Sequence, residues 1–200
     1  MSQIYKKEDF QKACELYKEW NAKINVISRK DIDNVFEHHF LHSLAILEYL
    51  KLKGEPLDGL NILDVGTGGG FPGIPLAMTM PLSKFVLCDS IAKKLKVAGA
   101  VAEGLGLNNV TCVNARAEFL EESFDWVVSR AVTSLVNFYP WVKGKYKKGI
   151  LYLKGGDVLS EISEMCAKYG LNSQKVSVWS VSEFLKDEYF AEKFVIEIRK

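Results

Sequence analysis

Residues Asp64 to Gly73 read DVGTGGGFPG and place five glycines in ten positions. Such a run removes side chains where a ligand must approach the backbone closely. Open N–H groups near a helix start bind polar or anionic groups. Gly68, Gly70 and Gly73 satisfy GxGxxG, the dinucleotide fingerprint. The register argues against that reading. The fingerprint needs its first glycine in the turn directly after a strand and its third inside the packed helix. Here Gly66 already occupies the turn, and Pro72 and Pro75 fit only at or before a first helical turn. The loop is therefore longer than in a dehydrogenase. No Gly-Lys-Ser/Thr follows it, so it is not a P-loop. Asp89 ends the next apolar run, where a carboxylate can accept from both ribose hydroxyls. Capping the following helix is the competing role. Ala117 and Glu118, after the third apolar run, are placed to border an adenine. These residues together describe a site for a nucleoside-containing cofactor.

Other residue types offer weaker chemistry. His38 and His42 are spaced i, i+4 and could share a helix face toward a metal. Position 39 holds histidine where HExxH needs glutamate, and no distant third ligand is evident, so no metal is expected. His39 is expected to face the site or the core, with the other two partly exposed. Lys93, Lys94, Arg116, Arg130 and Lys154 fall near strand carboxyl ends and could contact phosphates, which position a nucleic acid without reading sequence. Phe71, Phe138 and Trp141 could stack on an unpaired base, although a core position is the better reading for Trp141.

The elements that must position these residues follow from periodicity. Ala13, Leu16, Tyr17 and Trp20 share one helix face. Ser28 to Asp31 form a turn, and a second helix runs from about 33 to 49 with Phe36, Phe40, Leu44, Leu47 and Leu50 as its apolar face. From residue 60 short apolar runs alternate with helical stretches. Strands are expected at 60–65, 85–88, 110–113, 126–128 and 150–153, and helices near 74–80, 91–105, 132–143 and 157–169. That alternation implies βαβ units and a parallel sheet. Runs at 175–179 and 194–198 suit a terminal antiparallel hairpin. The expected fold is α/β: a class I methyltransferase, Rossmann-like, with a mostly parallel sheet, a C-terminal antiparallel hairpin and an N-terminal helical extension. Residues 1–55 would form that extension and 56–200 the cofactor-binding core, in one compact domain overall. With the glycine loop after the first strand, the expected cofactor is S-adenosylmethionine.

Composition excludes other classes. The chain has 200 residues and 48% hydrophobic content, enough for a core without staples. A net charge of +1 supplies no global field for nucleic acid, so local patches would have to hold such a partner. The N-terminal MSQIYKKEDF has no apolar stretch of a signal peptide, and no run approaches the roughly 20 residues of a membrane span. Cys14, Cys88, Cys112 and Cys166 form no CxxC pair, and Cys88 and Cys112 lie in runs that read as buried strands. Buried reduced thiols in a cytoplasmic protein are the expectation.

The strings DVGTGGGFPGIPLA, LCDS before a lysine-rich helix start, NARAE, VVSRAV and YLKGG resemble the ribosomal small-subunit methyltransferase G family, also called the glucose-inhibited division protein B family. WNAKINVIS followed by HHFLHSL is similar to its N-terminal region. The resemblance runs from about Trp20 to the C-terminus and implies methylation of guanine N7 in 16S rRNA of the small ribosomal subunit, using S-adenosylmethionine. It also implies that Gly66 and Phe71 line the cofactor, that Asp89 is the acidic residue of the second strand's end, that Ala117 and Glu118 sit beside the adenine, and that Arg130 is a cofactor contact. A soluble monomer is expected. One departure stands out. The family usually carries His-x-x-Asp-Ser in the second helix, whereas this chain has His42 in the aspartate's place. No catalytic residue is assigned, because guanine N7 carries a free lone pair and needs no deprotonation. Two alternatives stay open: a methyltransferase of protein or a small molecule, which the lack of an NPPY-type motif leaves open while disfavouring amide and exocyclic-amine targets, and a nucleoside-binding regulatory module without turnover.

Overall fold

Five apolar runs form the contiguous parallel strands of one seven-stranded sheet, of order β3-β2-β1-β4-β5-β7-β6. The strands are β1 (Asn61–Val65), β2 (Lys84–Cys88), β3 (Val110–Val113), β4 (Phe124–Arg130), β5 (Tyr146–Gly155), β6 (Val176–Ser180) and β7 (Lys193–Arg199). The computed structural model describes residues 5–200; the first four residues of the N-terminal stretch considered as a leader lie outside the described residues. β7 runs antiparallel to both β5 and β6, which makes the terminal hairpin the sheet's far edge. Strand order reverses between β1 and β4, so the crossovers leave a crevice above their carboxyl ends.

Side chains alternate across the sheet. Ile62, Trp126, Val128, Leu151 and Leu153 join one apolar cluster, and Leu63, Val127, Ile150 and Tyr152 join the other. Burial on both faces is why these strands read as unbroken apolar runs. The helices α1 (Gln11–Lys23), α2 (Leu41–Leu52), α3 (Gly73–Thr79) and α4 (Ala92–Leu105) cover the first face. The helices α5 (Leu135–Val142) and α6 (Val158–Tyr169) cover the second. Asp157 caps α6 by accepting from the Ser160 N–H at 3.1 Å. Phe10, Tyr17, Phe36 and Phe40 share a cluster with Phe71, Ile74 and Val101, so the N-terminal helices complete the layer that α3 and α4 begin.

Three expectations need correction. The second helix is not regular from 33 onward: a 3-10 turn (Ile32–Asn34) and a π-helical turn (Val35–Phe40) precede α2. The Leu41 N–H bonds to the Phe36 carbonyl, five residues back. The wider turn rotates His38 away from His42, and the i, i+4 pair does not converge. The apolar face itself holds, with Phe36, Phe40, Leu44, Leu47 and Leu50 all buried. Cys112 is exposed, on β3, the edge strand of the sheet. The helix expected from 132 starts at Leu135, after a loop in which Ala131 takes φ +48°.

Candidate functional site

A cavity of about 570 Å³ opens at the carboxyl ends of β1, β2 and β4. That volume lies within the usual range for a small-molecule site. Its wall includes Gly66, Asp89, Ala117, Glu118 and Arg130, which come from four separate stretches of chain. Phe71 is the exception among the expected cofactor residues. It lies behind the loop, 5% exposed, packed at 4.5 Å on Tyr17 and at 5.3 Å on His39. Its aromatic neighbours draw it into the N-terminal layer, so it is also unavailable for stacking on a base. Phe138 is fully buried against Tyr152 for the same reason. Trp141 packs on the core cluster, as expected, and its half-buried side also lines the cavity.

The glycine loop is less open than its composition suggests. Gly70 takes φ +107°, and a Cβ there would meet Ile74 at 2.6 Å and the Tyr17 hydroxyl at 2.8 Å. The same hydroxyl donates to the Gly69 carbonyl at 2.8 Å. A Cβ on Gly69 would meet Val26 at 2.7 Å. Only Gly68, at φ +55° on the cavity wall, faces free space. Helix α3 begins at Gly73 with Pro72 at its N-cap, as the prolines require.

Two carboxylates hold the loop. Asp89 uses both oxygens: one accepts from the Gly68 N–H at 2.8 Å, the other from the Ile91 N–H at 2.8 Å. The Ile91 bond closes a turn just before α4, whose N-cap residue Ile91 has no side-chain cap, so the capping role is not realised; each Asp89 oxygen keeps a further lone pair for a ligand donor. Asp64 is fully buried; one oxygen accepts from the Thr67 hydroxyl at 2.6 Å and the Gly73 N–H at 2.8 Å. Its other oxygen has no protein partner among the described residues. Burial pushes its pKa up to about 7, against the pull of the Thr67 and Gly73 bonds and of Arg130.

Arg130, the last residue of β4, lies with its guanidinium 4.9 Å over the Phe71 ring. Its Nη2 is 2.9 Å from Nδ1 of His39, whose Nε2 is 2.8 Å from Asp31. The second Asp31 oxygen is 2.5 Å from Nδ1 of His38, and that ring stacks on Tyr189 at 3.6 Å. His39, expected at the site or in the core, lies behind Arg130, one contact from the cavity wall and not on it. His42 is not partly exposed but 7% exposed, packed 5.8 Å from Phe190, with Nε2 unpartnered. Burial, and secondarily Arg130, holds its pKa well below the usual value, so it is neutral.

The basic set divides. Lys94 and Arg116 join Arg130 on the cavity wall. Lys93 is exposed and off the wall, and Lys154 is spent on Glu161 at 3.1 Å and the Thr133 carbonyl at 3.0 Å. Lys145 has a role that its surface lysine appearance hides: its ammonium donates to the Glu118 carbonyl at 3.2 Å and to that of Leu120. It thereby pins the 3-10 turn (Ala117–Phe119) at the cavity. Asp31 and Tyr17 were also missed. Asp31 read as a turn residue, and only the histidine pair seven and eight positions later hinted at more.

The reversal of strand order and the cavity above it define a class I methyltransferase fold. A solved structure with that fold, magnesium protoporphyrin IX methyltransferase from Synechocystis PCC 6803 with bound SAM, matches with TM-score 0.66 and 15% identity over 96% of this chain and 97% of that one. The model of the family described as rRNA small subunit methyltransferase G matches residues 6–188, and the chain belongs to that family. The ribosomal RNA small subunit methyltransferase G of Flavobacterium psychrophilum is 48% identical over 197 residues, 94% of this chain and 88% of that protein. The enzyme of the same name from Christiangramia forsetii is 47% identical over 94% of this chain and 87% of its own length.

Proposed function

We propose that this protein transfers a methyl group from S-adenosylmethionine to N7 of a guanine in 16S rRNA. The observation that carries the reading is the cavity at the β1/β4 reversal, in a chain whose family membership extends over residues 6–188. The residues present fit the cofactor. Gly68 leaves open space beside the loop, Asp89 keeps lone pairs for ribose hydroxyls, and Ala117 with Glu118 borders the wall where an adenine would lie. Gly66 and Arg130 complete that cofactor set. When bound, the cofactor supplies an electrophilic methyl group on a sulfonium.

The chain's own task is orientation. Guanine N7 attacks with a free lone pair, so no side chain need take a proton first. His39, behind Arg130, is no poised base: both its ring nitrogens are engaged, and burial with Arg130 lowers its pKa to about 4. Holding nucleophile and methyl group in line can supply up to roughly 7–11 kcal/mol of the barrier. Arg130, Lys94 and Arg116 would meet anionic groups of cofactor or RNA at the wall. We read residues 1–55 and 56–200 as one folding unit in a cytoplasmic monomer. The shared apolar cluster supports the first part, and no described helix is long and apolar enough to cross a membrane.

The test is calorimetry with S-adenosylmethionine, S-adenosylhomocysteine and NAD, then radiolabel transfer to 30S particles and to naked 16S rRNA with mapping of 7-methylguanine. Cofactor binding with N7 transfer is the expected result. Binding without transfer to any RNA would favour a regulatory module, and NAD binding would overturn the cofactor.

A further inference from the structure

We infer that Asp31 is a positioning residue for the transfer site: acting through His39, it fixes the direction of the Arg130 guanidinium while leaving its charge uncancelled. The inference rests on the methyltransferase reading for its kinetic part only.

The hydrogen bonds dictate the polarity. An arginine N–H can only donate. The Arg130 Nη2 group, 2.9 Å from His39 Nδ1, therefore needs a lone pair on that nitrogen. The proton of a neutral His39 must then sit on Nε2, where it donates to the Asp31 carboxylate at 2.8 Å. The opposite tautomer would face one N–H with another at Arg130 and present a lone pair to a carboxylate. A protonated ring would also set N–H against N–H. Burial and the charge of Arg130 together push the His39 pKa to about 4, in keeping with the neutral ring. One tautomer satisfies every contact, and Asp31 selects it.

Asp31 is itself braced. Its second oxygen engages His38 at 2.5 Å, and the His38 ring lies parallel to Tyr189, tilted by 4°. Burial works against its charge, but the two histidine bonds outweigh that and hold its pKa below the usual carboxylate range. The π-helical turn makes this possible, since it brings consecutive histidines onto the two oxygens of one carboxylate.

The departure at position 42 gives the arrangement its purpose. The family resemblance implies an aspartate there, whereas His42 is neutral and unpartnered at Nε2. Among the described residues no carboxylate pairs with Arg130 directly, and no second protein acceptor bonds it. A neutral imidazole orients the guanidinium and passes the pull of Asp31 along without forming a salt bridge. The remaining donors of Arg130, itself a residue of the cavity wall, have no protein acceptor among the described residues.

Nitrogen-15 NMR of the histidine side chains, in the intact protein with S-adenosylhomocysteine bound, reads the tautomer directly. Wild type is expected to show His39 as the Nε2–H form across neutral pH. Asp31→Ala should lose that preference and lower kcat for methyl transfer about 10–100-fold, the range that losing the outer-shell partner of a metal-ligating histidine costs at metal sites. Asp31→Asn, whose amide oxygen still accepts from Nε2–H, should restore the tautomer and most of kcat. An Nδ1–H tautomer in wild type overturns the proposal, as does an Asp31→Ala kcat within twofold of wild type. Equal losses in Asp31→Ala and Asp31→Asn that track their melting temperatures also overturn it, because they indicate a fold-only role. A wild-type protein that transfers no methyl group to RNA would sink the enzymatic reading but leave the tautomer measurement to decide this one.

Discussion

Asp64 offers a sharp test of how the loop is held, because its carboxylate is buried with one oxygen unpartnered. Its pKa rises from the ordinary 3.8 to about 7. A carboxyl group whose folded-state pKa is raised binds its proton more tightly when folded than when unfolded. Its contribution is therefore most favourable below about pH 4 and is lost as pH climbs from there to about 7. At roughly 1.4 kcal/mol for each pH unit between the two values, the ionised group costs the fold about 4 kcal/mol above neutrality. Asp64→Asn keeps an oxygen for the Thr67 hydroxyl and the Gly73 N–H but removes the ionisation. Urea unfolding of both proteins from pH 4.5 to 8.5 should show the stability difference moving toward the variant as pH rises, by up to about 3 kcal/mol, since the window opens above the lower value. The direction is the firm part, since the amide's N–H groups face the unpartnered position and add a cost that does not vary with pH. Parallel stability curves for the two proteins would refute a raised Asp64 pKa, and a difference moving toward wild type with rising pH would mean the carboxylate is stabilised as an anion.

Three further outcomes follow from the same contacts. In Asp89→Asn one amide group must serve two backbone N–H donors, so one of them faces an NH2 group; the loop should lose about 1–3 kcal/mol of local stability, and calorimetry should show S-adenosylhomocysteine affinity falling about tenfold. Lys145→Ala frees the turn at Ala117 and Glu118, so cofactor affinity should drop while the melting temperature stays near wild type; an unchanged affinity would remove Lys145 from the site's support. Gly69→Ala should be destabilising because of Val26, and pairing it with Val26→Gly should recover about 1–2 kcal/mol relative to the summed single effects in a double-mutant cycle; strict additivity would mean the two residues do not touch.

The parallel core was legible because its strands are buried on both faces, and a doubly buried strand leaves an unbroken apolar run such as Ile150 to Leu153. Helix starts followed from chemistry that acts within a few residues, as with Pro72 before α3. What escaped depends on distant partners. Phe71 sits in a cofactor loop, yet Tyr17, His39 and Phe40 decide where its ring goes. Asp31 carries a strong turn signal that masks its bonds to His38 and His39. His42 was placed half outside because a lone polar residue on a helix reads as solvated, while Phe190, nearly 150 positions away, closes over it.

The glycine loop shows why composition overstates a ligand's share of a site. A glycine is needed wherever a Cβ would collide, and the sequence does not record with what. At Gly68 the space is the cavity's own, and a ligand is the natural occupant. At Gly69 the occupant is Val26, and at Gly70 it is Tyr17 of the N-terminal layer together with Ile74 of α3. The same layer supplies His39, and through it Asp31, to Arg130, whose guanidinium lies over the loop's own Phe71. Helices that read as an extension therefore shape both the loop that would receive the cofactor and the arginine that faces it. A change in the α1 segment or in the turn at Asp31 reaches the site through two or three contacts, with the glycine motif itself unaltered in sequence.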